Sequence, residues 1–354
     1  MSIRKRKNKN GYTWQIDCRN AFGERIRQAG FKTKADAERE LAKIRLQIEN
    51  GSNANKSKKI YFVDVCDIFI KERTEVYSKR STLDGYNSYL NYHIKPFFKH
   101  FKLSEMTPAM ISKFVKKKQA DDYAPRTIND LLTLIKTIMN FAVENGYLAK
   151  NPIEKVKKLK LPNKEMKFLN TEEIEKVLKT AEKFYPKFYP LLLTAIMTGM
   201  RRGELLALQW KDIDFENKKI TVNKSLYKGE IQNPKTKRSN RKINMSDNLA
   251  KVLLELRKND NDIVFQSATG TYKDGKNMVA REFNPCLEKA GVKKIRFHDL
   301  RHTFASFLIA QNMPLKYIQA QMGHESIQTT SDRYGHLMPE VEQVGRNAFD
   351  KIKI

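Results

Sequence analysis

From Tyr12 to Arg19 the residues alternate, with Tyr12, Trp14, Ile16 and Cys18 on one side and Thr13, Gln15, Asp17 and Arg19 on the other. A period of two predicts a half-buried strand. Asn20 to Gly23 reads as a turn and Arg25 to Phe31 as a second extended stretch. Thr33 then stands where an N-cap belongs, ahead of Ala37, Leu41, Ile44 and Ile48 at spacings of 4, 3 and 4, so a helix follows and stops at Asn50-Gly51. Tyr12 and Trp14 share the apolar side of the alternation and are read as core rather than as a stacking surface. Ser52 to Lys59, with Ala54 as its one apolar residue, has the composition of a linker.

Beyond Tyr61 the period changes to that of helices. Phe62, Val65, Cys66, Phe69 and Ile70 form one stripe, a second helix follows Ser81, and a long one runs from Thr127 to Asn145 with Gly146 behind it as a C-terminal stop. Ile128, Leu131, Leu134, Ile135, Ile138, Phe141 and Ala142 give the long helix a broad apolar face. A basic stretch with Pro162 then leads to a capping sequence at Thr171-Glu172-Glu173-Ile174, a helix to about Phe184 and an apolar helix from Tyr189 to Met197. Short strands are predicted at Lys219–Asn223, Leu226–Gln232 around a turn at Lys228-Gly229, and Arg241–Met245, with helix and loop thereafter. The domains are drawn at 1–55, 61–153 and 168–354, joined by linkers at 56–60 and 154–167. The fold class is mainly α with small β elements.

Charge narrows the choice of partner. The 354 residues carry 68 Lys and Arg against 40 Asp and Glu, a net +28. The excess is spread along the chain: residues 1–60 hold 16 basic and 6 acidic side chains, 61–160 hold 18 and 11, and 161–354 hold 34 and 23. Several modules sharing one extended polyanion, nucleic acid or an anionic membrane surface, fit that spread. No apolar run approaches the roughly 18 residues of a bilayer span, and the basic start at Arg4 is not followed by a signal-peptide core, so a non-exported protein is expected. Cys18, Cys66 and Cys286, odd in number and far apart, are read as reduced core thiols rather than a disulfide framework or thiolate zinc site.

Candidate chemistry gathers in the last 170 or so residues. Thr198-Gly199-Met200-Arg201-Arg202-Gly203-Glu204 interrupts an apolar helix with two glycines around two arginines, which is either a surface turn or a held guanidinium. His298-Asp299-Leu300-Arg301-His302-Thr303 opens a helix, and His324, Tyr334 and His336 follow. His298 and His302 at i and i+4 are placed to ligate zinc, with Cys286 or His324 as a third ligand. Arg301 would set a fixed positive charge beside that cation, and no Glu follows His298, so no metal is assigned. A phosphate accounts for the same residues: arginines hold two oxygens each, histidines donate, and a phenol supplies a nucleophile without metal, ATP or other cofactor.

Arg201 within Thr198-Gly-x-Arg-x-Gly-Glu204, His298-x-x-Arg301-His302-Thr303, Gly323-His324 and Tyr334 ten residues later resemble, in order and spacing, the signature of the tyrosine recombinases, also called the phage-integrase family. Ala124-Pro125-Arg126-Thr127-Ile128-Asn129 and its helix look like the family's helical core-binding domain. Residues 10–50 are similar to the three-stranded arm-binding domain of integrases from phages and conjugative transposons of Gram-positive bacteria. The resemblance implies a catalytic domain in which Arg201, Arg301 and His324 clamp a DNA phosphate, His298 assists proton transfer and Tyr334 is the nucleophile. It matches Lys235, in Pro234-Lys235-Thr236-Lys237, to the strand-turn lysine that protonates the leaving 5′-oxygen, and Glu204 to an acidic supporting residue. It further implies strand exchange on double-stranded DNA with core-type and arm-type sites, a homotetramer on synapsed DNA, a bacterial cytoplasmic, nucleoid-associated setting, and an excisionase and a DNA-bending host factor as accessory partners. An accessory protein with an inactive catalytic domain and a relaxing enzyme of type IB topoisomerase kind are the alternatives. The tail from Pro339 to Ile354, with Val341, Val344, Ala348 and Ile352 at helical spacing, is expected to form a helix that docks on a neighbouring protomer.

Overall fold

A computed structural model describes residues 2–8, 11–19, 25–49, 60–76, 79–162, 166–232, 240–257 and 262–337. The chain divides into two compact units, 1–163 and 164–354.

The first unit opens with an antiparallel sheet, β1 (Ser2–Asn8), β2 (Gly11–Arg19) and β3 (Arg25–Phe31), with β2 central, followed by α1 (Lys34–Glu49). Thr33 caps α1 as expected, its hydroxyl accepting from the Asp36 N–H at 3.1 Å. Ile16 and Cys18 are buried against Ala37, Leu41 and Ile44. Trp14 packs at the edge of that core, but Tyr12 lies beyond it and is 59% exposed, with the Lys5 ammonium 4.6 Å from its ring centroid. The alternation therefore continues one turn of pleat past the end of the core, and the core reading of Tyr12 is corrected. The three-stranded sheet that the resemblance implies is present; residue pattern alone gives no strand at β1, because Arg4 to Lys7 carries no apolar residue, and register with β2, Ile3 to Ile16 and Lys5 to Trp14, makes it one.

The same unit continues with α2 (Phe62–Val76), α3 (Arg80–Tyr89), a π-helical turn at Leu90–Ile94, α4 (Lys95–Phe98), α5 (Pro108–Ala120) and α6 (Pro125–Glu144). α6 buries Ile128, Leu131, Leu134, Ile135, Ile138, Phe141 and Ala142, and Gly146 at φ +69° turns the chain away behind it. Asn129, a buried polar side chain on α6, is satisfied by the backbone of Leu159: its amide donates to the carbonyl at 2.9 Å and its oxygen accepts the N–H at 2.7 Å. Lys136 donates to the carbonyls of Glu154 and Val156 at 2.8 and 2.6 Å. Val156 and Leu159, inside the stretch drawn as a basic connector, thus pack on the helical core.

The second unit holds α7 (Thr171–Phe184), α8 (Tyr189–Thr198), α9 (Arg202–Leu206), β4 (Ile213–Asp214), β5 (Lys219–Val222), β6 (Ser225–Tyr227), β7 (Glu230–Gln232), β8 (Arg241–Asn244), α10 (Asp247–Leu256), α11 (Gly275–Met278), α12 (Asn284–Lys289), α13 (Asp299–Ala310), α14 (Leu315–Met322) and α15 (Ile327–Tyr334). The cap of α7 is Asn170, one residue before the expected Thr171: its side chain accepts from the Glu173 N–H while the Glu173 carboxylate accepts from the Asn170 N–H. β4, β5 and β8 form one antiparallel sheet, and β6 and β7 a separate hairpin. α9 lies so close to that hairpin that a Cβ on Gly203 would meet Ser225 Oγ at 2.4 Å. The three cysteines are buried free thiols, and among the described residues no helix is long and apolar enough to cross a membrane. Lys235 and the tail helix expected over 339–354 lie outside the described residues.

Candidate active site

Arg301 ties the sequence motifs together. It sits on the first turn of α13, 3% exposed, and donates to the carbonyl of Gly199 at 2.7 Å and to that of Met322. One guanidinium thereby fixes the turn ahead of Arg201 to the turn ahead of His324, using two of its five donors. Both turns end helices in the left-handed region, Gly199 at φ +59° and Gly323 at φ +64°. Each is also crowded: a Cβ would lie 2.5 Å from Phe304 Cδ1 at Gly199 and 2.7 Å from Arg241 Cδ at Gly323. Conformation and space both require glycine. Burial, with Arg201 and Arg241 nearby, pushes the Arg301 guanidinium down to about 9, which leaves it charged at neutral pH.

Glu204 is the counter-charge. It is 7% exposed on α9, accepts from the Arg201 N–H and guanidinium at 2.9 Å each, and is bridged by Arg241 from β8 at 2.8 and 3.2 Å. Arg241 also donates to the carbonyl of Gln321 at 2.8 Å. Burial would raise the Glu204 carboxyl, but the hydrogen bonds and charge of Arg241 and then Arg201 outweigh it and hold the group at about 2. Its ordinary value is 4.5, so the stabilisation is complete above about pH 4.5 and disappears as pH falls through about 2. Glu204→Gln is expected to cost on the order of 3 kcal/mol at pH 7, since it leaves Arg241 buried beside an uncharged group. Urea unfolding at pH 7 and below pH 4.5 checks this; a gap between variant and parent that fails to narrow in acid rejects the charge as its origin.

His324, 8% exposed behind Gly323, makes a 2.9 Å hydrogen bond through Nδ1 to Thr330 Oγ1 on α15. Burial, then Arg301 and Arg201, push its imidazole down to about 3, so it is neutral at pH 7. One helical turn after Thr330, the side chain of Tyr334 is fully buried among Phe304, Ala305, Ile309, Ile318 and Met322. Its hydroxyl is 2.7 Å from His302 Nδ1. Burial pushes the phenol up to about 12 against the pull of Arg301 and Arg333, and pushes His302 down to about 4 with help from His298. His298 stands exposed at the N-cap of α13, its ring centroid 5.5 Å from that of His302. Loss of solvent around the ring, then Arg301 and Arg296, lower it below its ordinary value.

Of the residues singled out in the sequence, Arg201, Glu204, His298, Arg301, His324 and Tyr334 therefore lie on one connected set of contacts through Gly199, Met322, Thr330 and His302. Arg241, His302 and Thr330 complete it and carried no assigned role in the sequence. In the sequence Arg241 follows Lys237 and Arg238, where one more cation reads as surface charge; only the pairing with Glu204, 37 residues away, marks it. Three guanidiniums around one carboxylate leave a positive site with donors that an oxyanion complements.

Comparison with known proteins follows the same lines. The family described as "Phage integrase family" matches residues 167–340, and "Phage integrase, N-terminal SAM-like domain" matches 61–119. Across 99% of its length the chain is 30% identical to the ICEBs1 integrase of Bacillus subtilis (strain 168), covering all of that protein. The chain belongs to the phage integrase family, the tyrosine recombinases. It is also 31% identical to a XerC-like tyrosine recombinase of Caldanaerobacter subterraneus subsp. tengcongensis, over 91% of each chain. The fold is that of the Tn1549 transposon integrase in complex with a circular intermediate DNA: TM-score 0.70, 21% identity, 83% of this chain and 100% of that one. This recombinase is thus an enzyme of the site-specific, mobile-element integrase type, and the accessory-protein and topoisomerase readings give way to it.

Proposed function

We propose that the recombinase cleaves one strand of double-stranded DNA at a core-type site through a 3′-phosphotyrosine on Tyr334, with Arg201, Arg301 and His324 holding the scissile phosphate. Support comes from Arg301, whose two backbone contacts gather the Arg201 and His324 turns on the side of the unit where Tyr334 is stored. In cleavage the Tyr334 oxygen bonds to phosphorus and the bond from phosphorus to the 5′-oxygen breaks. Lys235 supplies the proton to that oxygen, with His298 assisting. Charge developing on the phosphate is met by donors already oriented by the fold, so no metal enters. Residues 61–153 would grip the core site and 1–55 the arm-type site, consistent with the basic excess in both segments. Exchange between two duplexes requires four strand cleavages and hence four nucleophiles, which a tetramer on synapsed DNA provides. The setting is the bacterial nucleoid, with an excisionase and a DNA-bending factor as accessory partners.

The test is adduct formation on a nicked core-site duplex in EDTA. Covalent protein–DNA product is expected at an undiminished rate. Loss of product on chelation, restored by zinc, would overturn the reading and return His298 and His302 to consideration as ligands.

A further inference from the structure

The phenol of Tyr334 has one hydrogen bond among the described residues, and it is to His302 Nδ1 at 2.7 Å. Tyr334 side-chain exposure is zero and that of His302 8%, so no bulk water competes for the contact. A buried phenol O–H must find an acceptor, and a neutral imidazole offers one at the nitrogen that carries no hydrogen. Tyr334 therefore donates to Nδ1, which places the hydrogen of the ring on Nε2. The two other histidines of the site are committed differently: His324 Nδ1 is engaged by Thr330, and His298 is exposed at the helix start, touching His302 edge to face.

We propose that His302 is the general base for the nucleophile: its Nδ1 takes the Tyr334 proton as the phosphotyrosine bond forms, and returns it to the same oxygen when that bond is broken in religation. The proposal rests on Tyr334 being the nucleophile, as argued above. In the forward step the Tyr334 oxygen bonds to phosphorus, the bond to the 5′-oxygen breaks, the 5′-oxygen takes the proton of Lys235 as proposed above, and the phenol proton ends on His302. Each step in religation runs in reverse, so no proton is gained or lost overall. The geometry is already at transfer distance.

The acid–base balance suits a step that must run in both directions. With the phenol held near 12 and the imidazole near 4, the proton stays on Tyr334 until phosphorus begins to withdraw electron density from the oxygen. No standing phenolate is kept in the resting enzyme. An imidazolium formed there, disfavoured by burial and by His298, Arg333 and Arg296 and only partly offset by the Asp299 carboxylate, gives its proton back readily when the tyrosine oxygen leaves.

His302→Asn tests this, because the Asn side-chain oxygen reaches the place of Nδ1 and accepts the same hydrogen bond, yet takes up no proton at working pH. Single-turnover cleavage is read on prebound nicked core site, so only folded, DNA-bound protein is counted; His302→Gln is run beside it. Two substrates are used, one ordinary and one with sulfur replacing the bridging 5′-oxygen, whose leaving group needs no proton. Cleavage of both is expected to fall about 10²- to 10⁴-fold, whereas Lys235→Ala is restored by the sulfur. Rates within about threefold of the parent for Asn or Gln would show that His302 only positions the phenol, and restoration by sulfur would show that it serves the leaving group; either result overturns the proposal. Tyr334→Phe is the separate control on the nucleophile: adduct from that variant rejects the underlying reading whatever His302 does.

Discussion

Tyr334→Phe is expected to abolish the covalent protein–DNA adduct while core-site binding survives. The ring of Tyr334 is wholly buried and packs with Phe304, Ile309, Ile318 and Met322, so phenylalanine keeps the packing and removes only the oxygen. The fold loses one hydrogen bond and leaves His302 Nδ1 without its partner, a cost of about 1–3 kcal/mol. Chemistry loses everything, because no bond to phosphorus forms without that oxygen. A denaturing gel of protein mixed with labelled nicked site decides the matter. Adduct at the parental level would move attention to Tyr317, whose hydroxyl accepts from Asn244 Nδ2 at 3.2 Å.

Replacement of the clamp arginines is expected to have the next largest effect, with Arg201 and Arg301 differing in kind. Arg201 is 41% exposed at its side chain and anchored through Glu204, so Arg201→Ala should lower cleavage by about 10²–10³ and barely move the melting temperature. Arg301 also satisfies the carbonyls of Gly199 and Met322 inside the protein, so Arg301→Ala should lose cleavage by at least that factor and stability as well. Arg301→Lys should rescue poorly, since an ammonium on a flexible stem lacks the planar fork that reaches two carbonyls and an oxyanion together. Single-turnover cleavage and thermal unfolding of the three variants separate these outcomes. Near-parental cleavage by either alanine variant would remove that residue from the clamp.

Legibility in the sequence followed periodicity and motif spacing. The α6 stripe, the β2 alternation and the hairpin at Lys228-Gly229 are local patterns, and the structure reproduces them. β1 was not legible because a strand of Arg and Lys has no apolar period of its own and depends on pairing with Trp14 and Ile16. The same applies to Leu159, which reads as connector until Asn129, 30 residues earlier, takes both of its backbone groups. Within the site, Arg201, Arg301, His324 and Tyr334 stood out through spacing. Arg241 and His302 did not, because each acquires its meaning from one tertiary contact, with Glu204 and with Tyr334.

α15 is fastened at two neighbouring points to two different supports. Thr330 binds His324, which follows α14, and Tyr334 binds His302, on α13. These residues are four apart on a helix of eight, with a rise of about 6 Å between them. So short a rod does not bend between its fasteners; it moves as one body or stays. A rigid displacement of α15 that carries the tyrosine oxygen away from His302 also draws Thr330 from His324, and one that leaves either contact intact leaves both. The proton acceptor of the nucleophile and the clamp histidine are then set by one rigid helix, so His302 meets the phenol only while His324 is held as well, and a shift of α15 that disturbs one contact disturbs the other.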